Sequence, residues 1–120
     1  GNPMQTLGDD DITADMRNVG DYAKHLSQKL LGFECAIKYV KGGNLFLACY
    51  SSGLRVMTFN VQSLPNKFFA NTPTTAQTSI ILHELAHQNG SEERSHGTDY
   101  VNTLADLGAK LYHMKGVTNE

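Results

Sequence analysis

The residues best equipped for chemistry lie in one run, Ile80-Ile81-Leu82-His83-Glu84-Leu85-Ala86-His87-Gln88-Asn89-Gly90. If the run is helical, His83 and His87 stand one turn apart on the same face, roughly 5–6 Å apart at Cβ. Two imidazoles so placed can reach one metal ion, because a zinc–nitrogen bond is about 2.0–2.1 Å long. Glu84 lies about 100° around the helix from His83. Its carboxylate would sit beside the ion, where it can hold and deprotonate a metal-bound water. This is the His-Glu-x-x-His pattern of zinc-dependent hydrolysis. A structural pair of packed histidines is the bland alternative, but wedging a charged glutamate between them without purpose is costly.

A zinc site needs a third protein ligand, with the fourth position left for water if the site is catalytic. His96 is the leading candidate, nine residues beyond His87 and past the polar turn Ser91-Glu92-Glu93-Arg94-Ser95. Asp106 ranks second, at a position comparable to the acidic ligand of a gluzincin. Glu93 ranks third, falling where the metzincin pattern, with its glycine at Gly90, carries a histidine. An oxyanion would want a further donor, and Tyr100, Tyr50, Arg94 and His113 are each available, Tyr100 being grouped with Glu84 as catalytic. Asp99, one turn after His96, is a candidate acceptor that would orient the imidazole of His96.

These residues need elements to hold them. The motif reads as a helix over about 73–89, with Thr72-Pro73 as its start and Gly90 as its stop. A last helix over about 96–115 carries Tyr100, Val101, Leu104, Leu107 and Leu111 on one face, with Ser95 as N-cap and Gly116 as stop. Near the other end, Val19, Tyr22, Ala23, Leu26 and Leu30 recur at helical spacing from about Asn18 to Gly32, leaving His25 on the surface. Three strand-like runs follow: Phe33–Val40, Leu45–Tyr50 and Leu54–Val61. The turns between them, Lys41-Gly42-Gly43-Asn44 and Ser51-Ser52-Gly53, are short enough to imply antiparallel hairpins and a meander. The nearly unbroken apolar run Leu45–Tyr50 suits a central strand. Phe68 and Phe69, in the connection Gln62–Thr72, plug the core rather than form a lid over a subsite.

Length and composition fit one globular domain. The chain has 120 residues, 40% hydrophobic and 18% charged, with a formal net charge of -2. No lysine or arginine cluster marks a nucleic-acid footprint. No apolar run approaches a membrane span and no signal-peptide pattern appears, so a cytoplasmic protein is the default. Cys35 and Cys49 form neither a disulfide framework nor a Cys-x-x-Cys pair and read as buried, reduced strand residues. Residues 1–17, with the acidic run Asp9-Asp10-Asp11, read as a flexible lead-in to a single domain over 18–120. Gly1-Asn2-Pro3 ahead of Met4 has the look of a tag remnant, which would make the chain a piece of a longer protein.

His83-Glu84-Leu85-Ala86-His87 followed by Ser95-His96-Gly97-Thr98-Asp99-Tyr100 resembles the SprT-like and related minigluzincin-type zinc peptidase domains. The specific match covers residues 80–100; position 100 is tyrosine where those domains often carry phenylalanine or tryptophan. The segments Ala48-Cys49-Tyr50, Thr58-Phe59-Asn60-Val61 and Thr103 to Leu111 also resemble zincin-like segments at the ends of ATP-binding proteins of mobile elements. The resemblance implies zinc held by His83, His87 and His96, Glu84 as general base, and a peptide or protein substrate. It implies an α+β zincin-like minimal domain: an N-terminal helix, an antiparallel sheet of about three strands, the metal helix and a C-terminal helix. The rival class is a non-catalytic zinc-binding accessory or interaction domain of a larger, ATPase-linked protein. Ligand count separates the two, since structural zinc sites usually close all four positions with protein donors.

Overall fold

The computed structural model of the chain describes residues 3–43 and 46–88. His96, Tyr100, Glu93, Asp106, Asp99, Arg94, His113, the Gly90 stop and the whole expected C-terminal helix lie outside the described residues.

Helix α1 spans Ala14–Leu31. It begins at Ala14 rather than near Asn18 because Thr13 caps it: the Thr13 hydroxyl accepts from the Met16 amide at 3.1 Å. Gly32 ends it in the left-handed conformation, φ +87°, its amide donating to the Gln28 carbonyl. The expected apolar stripe is the buried one, with Val19, Ala23, Leu26 and Leu30 inside and Tyr22 partly so, while His25 is exposed. Ser27 shares that stripe. Its hydroxyl donates to the Phe33 carbonyl and accepts from the Cys35 amide, fastening the turn into the sheet.

The sheet departs from the expected meander. Its strands are β1 Gln5–Thr6, β2 Ala36–Lys41, β3 Ala48–Ser51 and β4 Val56–Asn60, in the order β1-β2-β4-β3. β4 pairs parallel to β2, with Ala36 opposite Val56 and Val40 opposite Asn60. β1 and β3 are antiparallel to their neighbours. The fold is therefore α+β with a mixed four-stranded sheet, in place of an antiparallel three-stranded one. Two physical reasons account for the difference. Gly42 and Gly43 both have positive φ, +91° and +66°, and lead the chain across the end of β4 instead of back along β2. The fully buried Asn60 then ties that crossing down, donating to the Gly42 carbonyl at 2.8 Å and accepting from the Gln62 amide at 3.1 Å. β4, with Met57 and Phe59 fully buried, takes the interior place, and β3 becomes an edge. Cys49 is consequently exposed, whereas Cys35 is buried.

The stretch read as a flexible lead-in also contributes. Gln5 and Thr6 pair with Lys41 and Val40, and Asp9–Asp11 form a 3₁₀ turn before the helix cap. α1 packs on β2, and a second helix, α2, spanning Thr75–Leu85, packs on β3. Between sheet and helices lie Phe59, Met57, Leu26, Ile81 and Leu85, joined by Phe68 and Phe69 from the 3₁₀ turn Asn66–Phe69. The two phenylalanines are core plugs, with Phe69 edge-on to Phe59. Removing a ring such as that of Phe59 would cost about 3–5 kcal/mol.

Candidate metal centre

The motif helix starts later than Thr72-Pro73 suggests, for a reason visible in the side chains. Thr74 is the N-cap, its hydroxyl accepting from the Gln77 amide at 3.0 Å. Gln77 answers by accepting from the Thr74 amide at 3.0 Å, a reciprocal capping box. The Gln77 amide nitrogen, fully buried, donates to the carbonyls of Phe68 and Ala70. It thereby fixes the loop beneath the helix. The inward stripe of α2 is Gln77, Thr78 and Ile81, closing on Leu85.

α2 ends at Leu85, and Ala86–Gln88 continue as a 3₁₀ turn, so the first histidine rides the α-helix and the second the turn. Their rings nevertheless lie side by side, edge to face, with centroids 5.9 Å apart and planes at 82°. Metal–nitrogen bonds of about 2.1 Å put a shared cation roughly 3.2 Å from each ring centre, so centroids up to roughly 6.4 Å apart can bracket one ion. That spacing is within reach of a shared ion, and imidazole nitrogen is a donor that suits borderline-soft divalent metals. Among the described residues no group of three or more histidine, cysteine, aspartate or glutamate side chains could hold a metal ion. A three-ligand site built on this pair would take its third donor from elsewhere, and His96, Asp106 and Glu93 are outside the described residues.

Glu84 is placed differently from its neighbour. The His83 side chain is 48% exposed and the Glu84 side chain only 14%. Three residues beyond Ile81, Glu84 falls at the border of the buried stripe. Desolvation there pushes its carboxyl up to about 7. The His83 Nε2 to Glu84 Oε2 distance is 4.0 Å, too long for a hydrogen bond. A carboxyl poised near neutrality beside the His83 imidazole can give and take a proton at physiological pH.

His83 and Glu84 also line a groove shared with Ser79 and Ile80 of α2 and with Phe46, Leu47 and Ala48 at the β3 edge. A second concavity, between α1 and β2 around Arg17, Lys24 and Tyr39, contains no residue of the motif. No family model, curated protein or solved structure matches the chain. What it does has to be read from these side chains.

Tyr50, one of the candidate oxyanion donors, is committed elsewhere: its hydroxyl donates to Gln88 Oε1 at 2.6 Å. Gln88 has no signal of its own in the sequence beyond following His87. Gln77 does have one, the Thr74-x-x-Gln77 spacing of a capping box. No described helix is long and apolar enough to cross a membrane.

Proposed function

We propose that the chain is a zinc-dependent metallopeptidase-like domain that hydrolyses a peptide or amide bond. His83 and His87 hold the ion, His96 completes the ligand set, and Glu84 is the general base. The observation that carries this reading is the pairing of two neighbouring imidazoles, 5.9 Å apart at their centres, with a mostly buried carboxyl held near neutral pH on the residue after the first. A structural zinc site has no use for such a carboxyl.

Zinc bound there would act as a Lewis acid, polarising the scissile carbonyl and acidifying water. The chain's own residues do the rest. Glu84 takes a proton from the attacking water and returns it to the departing amine, as its near-neutral affinity allows. β3, an edge of the sheet among the described residues, borders the groove that contains His83 and Glu84. An extended substrate can add beside β3 through backbone hydrogen bonds, which would bring its carbonyl to the histidine face of α2. Leu47, half exposed at that edge, offers an apolar contact for a substrate side chain. Tyr100 is the proposed donor to the oxyanion.

The test is Glu84→Gln measured beside the wild type for zinc content and for cleavage of a broad peptide library. The variant should keep its zinc and lose about 10²–10⁴-fold in hydrolysis. Hydrolysis at the wild-type rate would remove Glu84 from the mechanism. Zinc retained with no cleavage by the wild type would favour the accessory-domain reading.

A further inference from the structure

Granted the zinc site proposed above, we infer that Tyr50 is a positioning residue for it, acting through Gln88 on His87. His87 sits in the 3₁₀ turn Ala86–Gln88 that extends α2. Such turns have poorer hydrogen-bond geometry than α-helix, and the last carbonyls of a helix lack partners within it. The turn therefore needs support from outside, and the residues on either side of His87 supply it. Ala86 is fully buried in the core. Gln88 accepts the 2.6 Å hydrogen bond from the Tyr50 hydroxyl.

Tyr50 is a rigid anchor. Its ring is 6% exposed, on β3, paired in register with Met57 of β4. Burial holds its hydroxyl up to about 12, so it remains a donor across the working pH range. The backbone of His83 is held by another route, on α2 between the fully buried Ile81 and Leu85. The spacing of the two imidazoles is thus set where two supports meet, the packing of α2 and the hydroxyl of a strand residue. A metal site tolerates misplacement of only about 0.5 Å, so loosening the second support loosens the site.

The experiment compares Tyr50→Phe, Gln88→Met and the double variant with the wild type. Tyr39→Phe serves as control, because that core tyrosine hydrogen-bonds the Met16 carbonyl instead. Zinc affinity is read by competition with a chromogenic chelator, thermal midpoint on the metal-free proteins, and amide exchange at His87 and Gln88. Tyr50→Phe and Gln88→Met should each weaken zinc about tenfold, the scale of the loss when a group that orients a metal ligand is removed. The double variant should be no weaker than the weaker single. Both amides should exchange faster even without metal. Tyr39→Phe should lower the midpoint and leave zinc affinity unchanged. Wild-type zinc affinity in Tyr50→Phe would overturn the positioning role and leave the site standing. Failure of the wild type to bind zinc would overturn both.

Discussion

Gly20 of α1 lies so close to the hydroxyl of Tyr39 on β2 that a Cβ at position 20 would overlap it. The same hydroxyl donates to the Met16 carbonyl at 2.8 Å, so helix and sheet are joined at the one point where α1 lacks a side chain. Helix propensity alone would make Gly20→Ala stabilising by about 1 kcal/mol. Overpacking and the displaced hydrogen bond oppose it by about 1–3 kcal/mol. The expected outcome in urea denaturation is net destabilisation. In a Tyr39→Phe background, with the hydroxyl gone, Gly20→Ala should cost at least about 1 kcal/mol less. Equal costs in the two backgrounds would mean that the hydroxyl is not what excludes the methyl.

Gln77 joins three pieces of backbone with one buried amide: its own helix cap at Thr74 and the carbonyls of Phe68 and Ala70. Gln77→Leu keeps the bulk and loses every side-chain bond, leaving the Phe68 and Ala70 carbonyls unpaired at about 1–3 kcal/mol in addition to the lost side-chain half of the capping box. Gln77→Glu should also destabilise, because an ionised carboxylate would face two carbonyl oxygens. Its penalty should lessen as pH falls and the carboxyl protonates. Thermal melts at pH 5 and 8 test both changes, and a pH-independent loss for Gln77→Glu would contradict this arrangement.

Glu84 makes the metal-free protein less stable as pH rises. Below about pH 4.5 the carboxyl is protonated in folded and unfolded chains alike and has no effect. Between there and about 7 the unfolded chain releases its proton while the folded chain still holds it, so stability falls. Above about 7 the buried charge is fully present, and the loss levels off at up to about 3 kcal/mol. Chelator-treated Glu84→Gln should lack this slope and exceed the wild type in stability at pH 8. Superimposable pH profiles would show that the carboxyl is solvated.

The two thiols should separate cleanly. Cys49 is exposed on the edge strand, and Cys35 is buried beside Ser27. An aromatic disulfide reagent should modify Cys49 in the folded protein and Cys35 only on unfolding. Although the residue is exposed, partial desolvation of its sulfur by neighbouring groups raises the Cys49 thiol above its ordinary value, so its rate should keep climbing above pH 9. Simultaneous modification of both thiols would contradict the assigned burial.

The two described helices were the legible part of this chain, and the strand order was not. Val19, Ala23, Leu26 and Leu30 repeat at 3.6 residues, and burial follows that stripe in the folded chain. The start of α1 escaped because Met16, not glutamate or glutamine, completes the cap of Thr13. At α2 the opposite happened: Thr72-Pro73 drew attention from the better box at Thr74 and Gln77. Gly42-Gly43 announces a turn but not its destination, since left-handed glycines serve a hairpin and a crossing equally well. The apolar run ending at Tyr50 looked central, yet β4 is interior because Asn60 has hydrogen bonds to satisfy there. Within the site, the histidine pair and Glu84 are written in the motif. The desolvation of Glu84 and the Tyr50–Gln88 bond arise only when β3 meets α2, across 38 residues of sequence in the latter case.

Zinc stoichiometry measured on the purified wild type and on His87→Ala, after loading and exhaustive dialysis, tests the proposed site most directly. One zinc per chain in the wild type and none retained by the variant is the predicted result. A wild type that holds no zinc, or a variant that holds as much as the wild type, would contradict it.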